Sequence, residues 1–84
     1  MMTQVKAKKI GEGLYEIQMP NGEVITMNSS GKFDTERELM REAEESGNLL
    51  AIAADDCLKR YFLIYDHKTY DVLMSEEDME KFDW

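Results

Sequence analysis

The chain is poor in several residue types, and each shortage removes a class of protein. It has one cysteine, Cys57, so no internal disulfide can form and no four-cysteine zinc site can be built. A lone thiol suits a reducing compartment. Its neighbours Asp55 and Asp56 disfavour the thiolate, which argues for a packed strand cysteine and against a nucleophile. It has one histidine, His67. A general base needs a positioned partner, and the adjacent Asp66 is badly placed for that role, so His67 reads as an exposed turn residue. No apolar run approaches the ~20 residues of a membrane helix. Met1–Ile10 carries lysines with no apolar stretch behind them, so no secretory leader is expected. A cytoplasmic protein is the expectation.

Phosphate-binding glycine motifs are also missing. There is no G-x-x-x-x-G-K-[ST], and Gly11-Glu12-Gly13 lacks both the third glycine of G-x-G-x-x-G and a helix behind it. Glu76, Glu77, Asp78 and Glu80 do not have the alternating oxygen ligands around a glycine that a calcium loop requires. No metal, no cofactor and no enzymatic activity are expected.

What is present is enough to fold. At 84 residues with 43% hydrophobic and 10% aromatic content, residues 1–84 form one domain with one modest core. The richest block of β-branched and aromatic residues is Leu58–Met74, which reads as two strands joined at Asp66-His67-Lys68. Side chains alternate along a strand. Tyr61, Leu63 and Tyr65 therefore share one face and Phe62 and Ile64 the other. A strand apolar on both faces is central and covered on both sides.

Ahead of it, Gln4–Ile10 reads as a strand with Val5 and Ala7 inward, and Gly11-Glu12-Gly13 as a turn. Leu14–Met19 is a strand with Tyr15, Ile17 and Met19 on one face. Pro20-Asn21-Gly22 predicts a hairpin of type I′, with positive φ at both Asn21 and Gly22, and Glu23–Met27 returns. Asn28–Gly31 is a loop of turn formers. A helix over Thr35–Ser46 is predicted from the capping box Thr35/Glu38, with Asp34 as a rival cap, and from Gly47 at its end. Its apolar stripe is thin, Leu39, Met40 and Ala43. Glu38–Arg41 and Arg37–Glu42 are spaced to pair on its surface. Asn48–Ala54 is short and bounded by turn formers, hence a buried strand. Asp55-Asp56 turns into Leu58–Tyr65, and Thr69–Met74 follows. Ser75 caps a last helix over Glu76–Phe82, whose Met79 and Phe82 face the sheet. The predicted order is βββ-α-βββ-α. This is an α+β fold of two antiparallel β-meanders, about six short strands, in an antiparallel or mixed sheet with two surface helices on one side.

The net charge is −8, and it is unevenly placed. Residues 1–32 hold four lysines against three glutamates; residues 33–84 hold fifteen acids against six bases. A field of that sign repels nucleic acid and attracts basic surfaces. Lys59-Arg60-Tyr61-Phe62-Leu63-Ile64-Tyr65 has the aromatic character of an RNA-binding strand but lacks its glycines, and the acidity opposes phosphate. In size and charge the chain is similar to small inhibitors made by phages and mobile elements against restriction or CRISPR systems. That resemblance implies a non-enzymatic binding protein whose carboxylates imitate a phosphate backbone on a basic surface of a protein partner. The expected binding residues are Glu38, Glu42 and Glu45 on the first helix and Glu76, Glu77 and Glu80 on the second. Trp84 serves either as an aromatic anchor or as core. The alternative is a small assembly domain that forms a homodimer through a sheet edge or through the Tyr/Met face.

Overall fold

Nine elements follow one another among the described residues: β1 (Thr3–Gly11), β2 (Leu14–Gln18), β3 (Val24–Asn28), β4 (Gly31–Phe33), α1 (Glu36–Ser46), β5 (Leu49–Asp55), β6 (Leu58–Tyr65), β7 (Lys68–Leu73) and α2 (Glu76–Glu80). The computed structural model describes residues 3–55 and 58–82, without the side chains of 55, 58 and 59. Asp56, Cys57, Asp83 and Trp84 lie outside the described residues, and with them the turn expected after Asp55, the placing of Cys57 and that of Trp84.

All strands join one sheet in the order β3-β2-β1-β7-β6-β5-β4. Pairing is antiparallel within β1–β2–β3 and within β5–β6–β7. Of the antiparallel or mixed sheet expected, the mixed one forms, because two parallel joints connect the antiparallel strands, and the strands number seven among the described residues where about six were expected. β1 runs parallel to β7, with Val5 opposite Val72, and β4 runs parallel to β5, with Gly31 opposite Ala51. β4 is the strand that the reading of residues 28–31 as a plain loop overlooks. Three residues are too few to show a period-2 pattern. Its presence turns β4–α1–β5 into a β-α-β unit, the connection that adjacent parallel strands require.

The two ends of the strand order, β3 and β4, are consecutive in the chain and separated by Ser29 and Ser30 alone. Two residues cannot span an open seven-stranded sheet, since a residue reaches at most ~3.6 Å. The sheet therefore curls until its edges approach. Ser29 N donates to Gly13 O at 2.8 Å, and Ser30 N to Leu50 O at 2.7 Å. The bend into β4 falls at Gly31, whose φ of 99° suits glycine alone.

Curling gives the sheet an inside and an outside. Val5, Ala7, Tyr15, Ile17, Met19, Leu50, Ile52, Tyr61, Leu63, Val72, Met74 and Phe82 form the inner core. Leu39, Ala43, Leu49, Ala51, Ala53, Phe62 and Ile64 form a second core outside, between β5–β6 and α1. The opposite faces expected for Tyr61/Leu63 and Phe62/Ile64 are those observed. α1 lies on the outer face, while Phe82, just after α2, enters the inner core. The helices thus serve opposite faces, which corrects their expected place on one side. α2 is also shorter than expected and ends at Glu80.

Two turns exchange their expected geometry. At Pro20-Asn21-Gly22 the left-handed residue is Gly22 alone, φ 89°. Gly22 N donates to Met19 O at 3.0 Å and Met19 N to Glu23 O at 2.8 Å. This is a three-residue loop with glycine at its left-handed position, and not a type I′ turn. The proline supplies the reason: it sets φ near −65° and adds a residue ahead of Asn-Gly. The two-residue turn with both φ positive occurs at Asp66 (53°) and His67 (64°), between the paired Tyr65 and Lys68. Asp and His are among the few side chains that tolerate this region.

Two substitutions test this description. Phe62→Ala removes a fully buried ring from the outer core and should cost about 3–5 kcal/mol. Leu73→Ala, at a side chain 41% exposed, should stay within about 0.5 kcal/mol of the parent. Urea unfolding of both variants decides. His67→Gly should raise stability by up to about 1 kcal/mol, because glycine takes positive φ without steric cost. An unchanged or lowered unfolding midpoint would contradict the turn geometry.

Candidate functional site: the acidic helices

α1 forms where the sequence places its signals. Thr35 is the N-cap, extended at φ −135°, and its hydroxyl accepts from Glu38 N at 3.2 Å. Gly47 closes the helix, its N–H donating to Ala43 O at 2.8 Å. Leu39 and Ala43 are buried and Met40 half-buried, the thin apolar line that the sequence predicts. Glu38, Glu42 and Glu45 recur at i, i+4 and i+7. At 3.6 residues per turn they fall within about 60° of one line, some 110° round the helix from Leu39 and Ala43. All three are exposed.

Their surroundings matter more than their number. Glu36, nearer the sheet, is paired: Arg60 Nη1 donates to its Oε1 at 2.8 Å, and the same guanidinium lies 5.0 Å from the Phe62 ring centroid. The pairings spaced for Glu38–Arg41 and Arg37–Glu42 do not form, and none of Glu38, Glu42 and Glu45 has an ion-pair partner among the described residues. Like charges at i, i+4 repel by a few tenths of a kcal/mol. No basic residue stands in the last turn, where the macrodipole would favour one. Glu38 stands in the first turn, where the dipole favours it, so the helix gains from that carboxylate but not from Glu45 in its last turn.

The second acidic group is differently employed. Ser75 caps α2, its hydroxyl accepting from Asp78 N at 3.2 Å. Asp78 Oδ2 accepts from the backbone N–H of Lys9 at 3.1 Å, and Lys9 Nζ donates to Lys81 O at 2.6 Å. These bonds tie α2 to β1. Glu77 holds Lys81 at 2.9 Å, and that hydrogen bond, with the Glu77 charge, keeps the Lys81 ammonium above its ordinary value. Glu76 and Glu80 line a shallow crevice of about 340 Å³ with Tyr61 and Met79. The structure thus does not bring the six glutamates together. Glu38, Glu42 and Glu45 share a face on the outer helix, while Glu76, Glu77 and Glu80 sit on the helix that serves the inner core. The Tyr/Met face lies inside the sheet, with Tyr15, Met19 and Met74 buried.

Below α2, Phe82 stacks on Tyr15 at 5.1 Å and meets Tyr61 edge-on at 5.3 Å. The Tyr61 hydroxyl reaches Met79 O at 3.4 Å. His67 is exposed in its turn. Among the described residues no group of three or more His, Cys, Asp or Glu is placed to hold a metal ion, and no helix is long and apolar enough to cross a membrane. No protein-family model, no curated protein and no solved structure matches the chain.

Burial raises the Tyr61 phenol above its ordinary 10.0. A folded value above the unfolded one means that the unfolded chain loses this proton first. The stability linked to the proton is full below pH 10.0 and disappears as pH rises through the folded value. Urea unfolding across the alkaline range should show stability falling above that point, and Tyr61→Phe should lessen the fall. An identical alkaline decline in the variant would remove Tyr61 as its source.

Proposed function

We propose that this protein is a non-enzymatic binding domain of the inhibitor type, and that it docks the Glu38/Glu42/Glu45 face of α1 on a basic surface of a protein partner. One observation carries the reading: three exposed carboxylates share a line on one helix with no ion-pair partners among the described residues. Spaced along one line, they can take the place of a phosphate backbone on a surface built for nucleic acid. The kind of inhibitor made by phages and mobile elements against nucleic-acid-binding defence complexes has this size and charge. Association of this type is fast at low salt and weakens as salt screens it.

The acids of α2 have a lesser part. Glu77 is already paired with Lys81, and Glu76 and Glu80 stand on another element. The α1 face is therefore the primary contact.

The test is capture of a partner from a panel of nucleic-acid-binding defence complexes, at low and at high salt. Capture at low salt and release at high salt is the expected result, and Glu38→Lys/Glu42→Lys/Glu45→Lys should abolish it. The triple variant should fold about as well as the parent, because the cation gained in the last turn at position 45 offsets the first-turn carboxylate lost at Glu38, each by a few tenths of a kcal/mol. Capture that survives the reversal would defeat the reading.

A further inference from the structure

The curled sheet has two mouths. One is filled by Phe82, held between Tyr15 and Tyr61. The other is framed by the Pro20–Gly22 loop and the Asp66-His67 turn. Here the inner face ends in two more tyrosines, Tyr65 and Tyr70. Leu63 stands opposite Tyr70 and Tyr65 opposite Lys68, so the two rings are diagonal neighbours across β6 and β7, within reach of each other. Both are half-buried. Neither has a ring partner or a hydroxyl hydrogen bond among the described residues. The aromatic pair at this end thus lacks the third ring that covers the pair at the other.

With the buried Met19, these tyrosines line a crevice of about 270 Å³ whose exposed members include Glu23, Asp66 and Lys68. Glu23, Tyr65 and Asp66 also border an adjoining recess of about 360 Å³. The two carboxylates come from turns more than forty residues apart, and neither has an ion-pair partner among the described residues. They outnumber the single ammonium.

This combination selects a ligand class. Tyrosine faces are negative and attract organic cations, the Met19 thioether is polarizable, and carboxylates add charge and accept hydrogen bonds in pairs from a guanidinium. An anion would meet Glu23 and Asp66. Two carboxylates are too few for a calcium cage of six to eight oxygens. The crevice is smaller than the roughly 300–1,000 Å³ of a site for a drug-sized molecule, and it suits a group the size of a side-chain head. We propose that this mouth binds a guanidinium or alkylammonium group, stacked on Tyr65 and Tyr70 and neutralised by Glu23 and Asp66. The site is separate from the α1 face and does not depend on it.

The probe is ethylguanidinium, titrated into the isotope-labelled protein and followed by NMR, with neutral ethylurea as control. Saturable shifts centred on Tyr65 and Tyr70, absent with ethylurea, are expected. Tyr65→Leu should remove them and Tyr65→Phe should keep them, because the ring face and not the hydroxyl holds the cation. Asp66→Asn keeps a residue that tolerates the turn and should weaken binding several-fold, while Lys68→Ala should strengthen it. Reversal of Glu38, Glu42 and Glu45 should leave the titration unchanged, which separates this site from the α1 reading. An arginine-containing peptide forms a second arm. Binding at least tenfold tighter than ethylguanidinium identifies the ligand as a side chain of a protein, and equal affinity identifies a free small cation. Absence of saturation at tens of millimolar overturns the proposal. So do shifts spread evenly over the acidic helices, or shifts indifferent to Tyr65→Leu.

Discussion

The β5–β6 pair has to keep water from both of its faces, and most of the architecture answers that requirement. Leu50, Ile52, Tyr61 and Leu63 point inward; Leu49, Ala51, Ala53, Phe62 and Ile64 point outward, and every one of them is buried. Two antiparallel strands cannot achieve this alone. The inner side chains need a sheet that folds back over them, and the outer ones need a helix laid across them. α1 supplies the second cover through only Leu39, Ala43 and part of Met40. That narrow line suffices because Ala51 and Ala53 are small and let the helix approach.

The curl that buries the inner side chains also brings the two edges of the sheet toward each other, although β3 and β4 do not pair. An open mixed sheet of this size would expose two rows of unpaired backbone groups, the usual route to association between chains. Here β3 and β4 are both edges and chain neighbours, and the Ser29-Ser30 link draws them together. A domain with one cysteine cannot lean on disulfides, and in a chain barely above the ~80-residue limit a single core has little stability to spare. The second core outside the sheet adds buried area without lengthening the chain. Phe82 then fills one mouth of the curl, held there by the bonds between α2 and Lys9.

Charge is distributed by the same geometry. The acids that keep α2 in place are bonded within the molecule; those on the outer line of α1 have no ion-pair partner among the described residues. Two carboxylates at the unfilled mouth stand beside half-buried tyrosines. Total charge thus says little about function, and the difference lies in which carboxylates already have partners.

Much of this was legible in the chain. The central place of Leu58–Tyr65 was legible because every residue from Tyr61 to Ile64 is apolar, so that whichever way the strand faced both of its faces needed cover. Thr35, Gly47 and Ser75 marked their helix ends, since capping is local: a hydroxyl accepts from the amide three residues on, and the Gly47 N–H donates to a carbonyl four residues back. The β4 strand was not legible: Gly31–Phe33 has no pattern of its own and exists because Ala51–Ala53 offers it a partner. The turn at residues 20–22 was misjudged because Pro20 lengthened a loop that Asn-Gly by itself would have kept to two residues.

The sequence alone determined what depends on neighbours along the chain: element type, helix ends, the two-faced character of β6 and the sign of the field. Tertiary structure alone decided what depends on residues far apart. It joined β1 to β7 in parallel, closed β3 toward β4, set the helices on opposite faces, left Glu38, Glu42 and Glu45 without ion-pair partners among the described residues, and brought Glu23 beside Tyr65 and Asp66. The reason is physical: local preferences act over a few residues, whereas the parallel joints and the mouths arise from burying two apolar faces with one short chain.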